Sequence, residues 1–183
     1  MNNVYMMLAR GFEESEAIVP ADLLKRAGAT VILVATEGGL AVPGAHGITV
    51  TADMTIDEVR KEDIDCVILP GGAMGTQLLG NNPKVLDIIE HAASRGIYIG
   101  AICAAPSVLG KMRLLDGRKA AVYPGFDESM KHAIVTGKKV EQDDIFITAE
   151  GMGVSFEFGF KLIEMLFGAQ KVADIRSQIR FPN

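Results

Sequence analysis

Short, almost continuously apolar runs recur along the chain, each bounded by glycine, proline or charge. Val4–Leu8, Thr30–Ala35, Asp65–Leu69, the run that begins at Tyr98, and Ile145–Ala149 are too short for helices. Their apolar content predicts strands, with Asp65–Leu69 and the Tyr98 run buried and the β-branched Thr30–Ala35 buried on both faces. Between them the period changes. Over Asn82–Arg95, Val85, Ile88, Ile89 and Ala92 share one helical face, while Asp87, Glu90, His91 and Ser94 lie opposite, and Gly96 closes the segment. A first helix starts in the acidic stretch Glu13-Glu14-Ser15-Glu16, runs to Ala27 and stops at Gly28. Thr55–Arg60 and Gly125–Lys131 are predicted as short helices, and Arg118–Val122 as a strand. Val154–Phe167 and Ala169–Gln178 are predicted as two closing helices. Gly38–Thr51, with five glycines and prolines around short apolar pieces, predicts a hairpin or irregular excursion.

Strands alternating with helices through the first two-thirds of the chain predict an α/β fold with a mostly parallel sheet. Right-handed crossovers then place helices on both faces. No internal repeat or linker interrupts the pattern, so residues 1–183 are expected to form one domain. In such sheets ligands bind at the carboxyl ends of the strands. Three loops are brought there: those after Leu8, after Leu69 and after Ile102.

The last of these carries the sharpest signal. In Tyr98-Ile-Gly-Ala-Ile-Cys-Ala-Ala-Pro106 a strand runs into a single cysteine, then into small residues and a proline suited to a helix's first turn. That is the layout of a nucleophile elbow, which presents a side chain at the sheet's carboxyl edge. A thiol facing first-turn N–H groups is expected to have a pKa of roughly 3.5–7.5 instead of about 8.5. The alternative is that Cys103 is a small buried hydrophobe, as free cysteines commonly are. Gly71-Gly72 directly follows a strand and could bring N–H groups close to an anion, or simply form a tight turn. Glu16 is either a solvated charge at a helix start or, if the first and third loops meet, a base or proton donor beside Cys103.

Composition narrows the classes. The net charge of −5 is scattered, with no basic block, so nucleic acid is not an expected partner. No apolar stretch approaches the ~20 residues of a membrane helix, and no secretory signal opens the chain, so no membrane association is expected. Two cysteines make no disulfide framework, and the expected setting is the cytoplasm. Neither cysteines nor histidines show metal-ligand spacing. Gly71-Gly-Ala-Met-Gly75 is neither a P-loop nor a dinucleotide fingerprint, so no metal or cofactor is expected. Of the three histidines, His91 lies on a polar face, and neither His46 nor His132 is placed by spacing beside Cys103.

Arg10-Gly-Phe-Glu-Glu-Ser-Glu16, Leu69-Pro-Gly-Gly72, Ala101-Ile-Cys-Ala-Ala-Pro106 and Gly153-Val-Ser-Phe-Glu-Phe158 follow the order and spacing of the ThiJ/PfpI family. The chain resembles most the branch of the Parkinson-disease protein and bacterial YajL, over essentially its whole length. The resemblance implies a flavodoxin-like (Rossmann-like) sandwich and a homodimer. It implies Cys103 as the reactive cysteine, a protonated Glu16 beside it, and the N–H groups of Gly72 and Ala104 as an oxyanion hole. It implies glyoxalase or deglycase chemistry, without cofactor, on methylglyoxal or glycated adducts. Two departures matter. Protease-like members carry histidine directly after the cysteine, where this chain has Ala104, which argues against peptidase activity. Human-type members carry a histidine near the thiol where this chain has Tyr123, a phenol that can donate a hydrogen bond but is a poor base at neutral pH. Two function classes follow: a thiol enzyme acting on small reactive aldehydes, or an oxidative-stress sensor or chaperone working through oxidation of Cys103.

Overall fold

A computed structural model describes residues 2–182. In chain order the strands are β1 (Asn3–Leu8), β2 (Thr30–Ala35), β3 (Ala41–Pro43), β4 (Thr49–Thr51), β5 (Met54–Thr55) and β6 (Cys66–Leu69), then β7 (Tyr98–Ile102), β8 (Lys119–Ala120), β9 (Ile134–Val135), β10 (Val140–Asp143) and β11 (Phe146–Ala149). The helices are α1 (Glu14–Ala27), α2 (Ala73–Asn81), α3 (Pro83–Arg95), α4 (Pro106–Lys111), α5 (Ser155–Phe167) and α6 (Ala169–Gln178). Seven strands form one sheet in the order β10-β11-β7-β6-β1-β2-β5. Every neighbouring pair is parallel except the edge pair β10–β11. This is the expected α/β sandwich of the flavodoxin-like kind.

The alternation along β1 shows why helices cover both faces. Val4, Met6 and Leu8 pack with Leu24 of α1, Phe158 of α5 and Ile175 of α6. Tyr5, Met7 and Ala9 pack with Leu79 of α2, Ile89 of α3 and Leu109 of α4. A strand apolar at both parities has to be sandwiched. Gly28 and Gly96 close α1 and α3 in the left-handed conformation, with φ of 102° and 69°.

Several expected elements change. Met54–Thr55 is a two-residue strand pairing with β2, and only Ile56–Glu58 beyond it turns as a 3₁₀ helix, so the predicted Thr55–Arg60 helix does not form as such. The predicted strand at Arg118–Val122 shrinks to Lys119–Ala120 and pairs with β9 outside the main sheet. The predicted Gly125–Lys131 helix reduces to a 3₁₀ turn at Asp127–Ser129. Helix α2 and the polar edge strand β10 were not predicted. The Gly38–Thr51 excursion is a hairpin, β3–β4, that stands apart from the main sheet.

Candidate active site

Adjacent strands β1, β6 and β7 end side by side, and their following loops converge. Cys103 comes directly after β7 with φ 64°, a left-handed conformation that few residues other than glycine adopt. Such a conformation costs on the order of 1–3 kcal/mol and persists only when its surroundings hold it. Here the Cys103 N–H donates to Ala149 O at 2.9 Å and its carbonyl accepts the Tyr123 N–H at 2.9 Å. The Ala105 N–H closes the turn onto Ile102 O at 3.0 Å, and Pro106 begins α4. Cys103 is partly exposed, whereas Cys66, inside β6, is fully buried.

The two glycines after β6 are held by close approach. A Cβ on Gly71 would stand 2.5 Å from Glu16 Oε2 and 2.6 Å from Cys103 Cβ. A Cβ on Gly72, whose φ is 88°, would stand 2.3 Å from Gly11 O. No side chain fits at either position, which leaves the backbone open toward the sulfur. The N–H groups of Gly72 and Ala104 face the Cys103 thiol and favour its ionised form.

Glu16, in the first turn of α1, has no exposed surface. Its Oε2 accepts the Gly71 N–H at 2.9 Å. Glu16 Oε2 and Cys103 Cβ both lie against Gly71, and the buried Glu16 Oε1 has no hydrogen-bond partner among the described residues. Burial pushes the Glu16 carboxyl up to about 7, against the pull of the Cys103 and Gly71 contacts, and the Glu13 charge adds to the rise. Burial, and then the Glu16 charge, push the Cys103 thiol up to about 12, with the Gly72 and Ala104 N–H groups pulling the other way. This corrects the depressed thiol pKa expected from the elbow alone: desolvation and a neighbouring carboxylate outweigh two N–H dipoles. The two groups titrate as a pair.

Tyr123 is half-exposed. Its ring lies over Gly151, where a Cβ would stand 3.2 Å from Cδ2, and meets Phe126 edge-on at 6.3 Å between centroids. Its segment is fixed by the Ala121 N–H donating to Thr148 Oγ1 at 2.9 Å. Glu13, Glu14 and His46 bring three donor atoms within 4.8 Å of one another from two separate segments, a grouping that local spacing does not reveal. His46 bonds Glu14, not Cys103. A separate cleft, lined by Thr36, Asp57, Asn82 and Lys84, lies beyond the end of β2 and does not include Cys103.

A doubly wound sheet with a strained cysteine at its carboxyl edge, two N–H groups facing the thiol and a buried carboxyl beside it defines a thiol-centred α/β protein. A profile of the DJ-1/PfpI family matches residues 2–165, and the chain belongs to that family. It is 36% identical over 172 residues to dj-1beta of Drosophila melanogaster, covering 93% of this chain and 92% of that protein. It is 34% identical over 152 residues to a protein named deglycase PH1704 from Pyrococcus horikoshii, covering 83% and 87%. Among solved structures, a DJ-1 superfamily protein from Salmonella typhimurium superposes with a TM-score of 0.95 at 33% identity, each chain covered completely. An oxidized DJ-1 of Toxoplasma gondii gives 0.94 at 31% identity, also over the whole of both chains.

Proposed function

We propose that this protein is a cofactor-independent thiol enzyme acting on small reactive aldehydes, with methylglyoxal as the type substrate. The observation that carries the reading is Glu16: a fully buried carboxyl pushed up to about 7, beside an elbow cysteine. A group poised there can both take and return a proton at neutral pH. The Cys103 thiolate adds to the aldehyde carbon, and the new oxyanion is met by the N–H groups of Gly72 and Ala104, with the Tyr123 hydroxyl as a further donor. Protonation gives a hemithioacetal. Glu16 removes the carbon-bound proton of that adduct and returns it to the neighbouring carbon, leaving a thioester of lactate. Water then releases lactate and the thiol, so methylglyoxal plus water becomes lactate with no external oxidant. The deglycase name of the Pyrococcus relative fits the same first step on a glycated adduct. The protein acts, in this reading, as one domain over residues 1–183, as a homodimer and in the cytoplasm.

The test is lactate formation from methylglyoxal by purified protein, with spontaneous adducts to buffer and thiols subtracted. The parent should turn over and Cys103→Ser should not. Equal lactate from both would overturn the proposal. A second reading rests on the spacing of the two thiols: Cys66 is sealed inside β6, so no second cysteine is available to resolve an oxidised Cys103. Oxidation by mild peroxide should then continue to the sulfinic acid, the state a neutral Glu16 can hold by O–H···O⁻ donation. A sulfenic acid that accumulates unchanged would count against this sensor reading.

A further inference from the structure

The hairpin β3–β4 is excluded from the main sheet, yet its turn is tied tightly to the segment that leads into Glu16. The Gly11 N–H donates to Pro43 O at 2.8 Å, and the Ala45 N–H to Phe12 O at 2.8 Å. The strongest tie is a side chain. Glu14 is buried, and its Oε1 accepts the backbone N–H of His46 at 2.7 Å and of Ile48 at 3.3 Å. Its Oε2 faces His46 Nδ1 at 3.0 Å. Glycine is needed for this approach, since a Cβ on Gly44 would stand 2.4 Å from Glu14 Oε1.

A carboxylate at a helix start is ordinarily content in water, where it already favours the dipole. Burying one is costly unless hydrogen bonds replace the water. Glu14 makes no side-chain cap bond to α1; the turn 44–48 is folded around it instead. The segment it holds is a wall of the cysteine site. Glu13 N–H donates to Gly71 O at 3.0 Å, and Gly11 O accepts the Gly75 N–H at 3.3 Å. Gly11 O also stands where any side chain on Gly72 would have to go.

We propose that Glu14 is a positioning residue: by clasping the hairpin turn to residues 11–13 it sets the placement of Gly71, whose N–H donates to Glu16 Oε2, and of Gly72, whose N–H faces the Cys103 thiol. It touches neither the thiol nor a substrate. The charged groups around the clasp are Glu13, whose Oε2 is 3.3 Å from His46 Nδ1, and His46 itself, which is largely exposed. Hydrogen bonds to the Glu14 carboxylate outweigh its burial and hold it down at about 2, so the clasp is charged at every pH of interest.

This inference rests on the proposed role of Cys103 only in taking that thiol as the reactive group. Its test is the pH profile of Cys103 alkylation by iodoacetamide, which needs no substrate. Failure of methylglyoxal turnover therefore leaves it standing, and its own failure leaves turnover untouched. Weakening one N–H bond of the usual strength should slow alkylation of Glu14→Ala at pH 7 by roughly two- to tenfold and move the rise in rate to higher pH. Glu14→Gln keeps an acceptor oxygen for the turn and should recover most of the loss. His46→Ala removes one of three contacts and should shift the profile least. Should Glu14→Ala fail to fold, Glu14→Gln combined with His46→Ala takes its place, read by the amide chemical shifts of Gly71 and Gly72 as well as by rate. A folded Glu14→Ala whose profile superposes on the parent, or a double variant with unmoved Gly71 and Gly72 amides, would overturn the assignment.

Discussion

Glu16 should make the protein less stable as pH rises, and Glu16→Gln should remove that dependence. Its carboxyl is held at about 7 when folded, against an ordinary 4.5. Below 4.5 the group is neutral in both states and contributes nothing. Between 4.5 and 7 the unfolded chain ionises it while the folded protein keeps it protonated, so the folded state binds more protons and stability falls with pH. Complete by about pH 8, that loss is on the order of 3 kcal/mol. A glutamine preserves the arrangement without titrating: its carbonyl can accept the Gly71 N–H and its amide can donate toward Cys103. The measurement is urea unfolding of both proteins at pH 5 and pH 8. Other titrating groups, including Glu14 and His46, are common to both proteins and cancel in the difference. The gap should open in favour of Glu16→Gln by about 2.5 kcal/mol between the two pH values. Equal gaps at pH 5 and pH 8 would mean that Glu16 is not held neutral, and the proton-transfer role assigned to it would fall. Turnover should move the other way, by roughly a hundredfold or more, because an amide cannot accept a proton.

Brief iodoacetamide treatment near neutral pH should label Cys103 before Cys66, because Cys103 is partly exposed whereas Cys66 lies in a strand with no exposed surface. Peptide mass spectrometry decides, and first labelling at Cys66 would contradict the elbow site. Light scattering in dilute solution should give twice the 19.6 kDa chain mass. A monomer at micromolar concentration would remove the homodimer proposed here.

Much of the sheet was legible because its strands are apolar at both parities, and a parallel strand needs no partner of its own sequence neighbourhood to be recognised as buried. Helix α2 was hidden by its composition. Gly75 and Gly80 lower its propensity, but Gly75 is required where the helix passes Phe12, since a Cβ there would stand 2.9 Å from the Phe12 backbone. Tertiary approach overrides local preference at that point. Strand β10 was hidden for another reason: Val140-Glu-Gln-Asp143 is a polar edge that gains its state from pairing with β11. In the site, the loop positions of Cys103, Gly71-Gly72 and Glu16 follow from strand ends alone. The partnership of Glu14 with His46 spans 32 residues and has no local signature.

The one expectation that reversed sign, the thiol pKa, shows what sequence omits. A cysteine at a helix start advertises its N–H groups, and those do pull the thiol pKa down. What the sequence does not advertise is the depth of the neighbouring carboxyl. Glu16 is sealed in by Gly71, which must be glycine to admit it, and by the Cys103 backbone turned back at φ 64°. Sealing raises both groups together, and each resists ionising beside the other. For an attacking thiol the best pKa lies near ambient pH, because thiolate fraction and nucleophilicity move in opposite directions. In the proposed reaction the raised Cys103 thiol therefore limits the thiolate fraction, and the Glu16 carboxyl near 7 is the group that would take the proton and return it to the adduct. The strain at Cys103 and the two side-chain-free positions at Gly71 and Gly72 are what hold the pair close enough for that exchange.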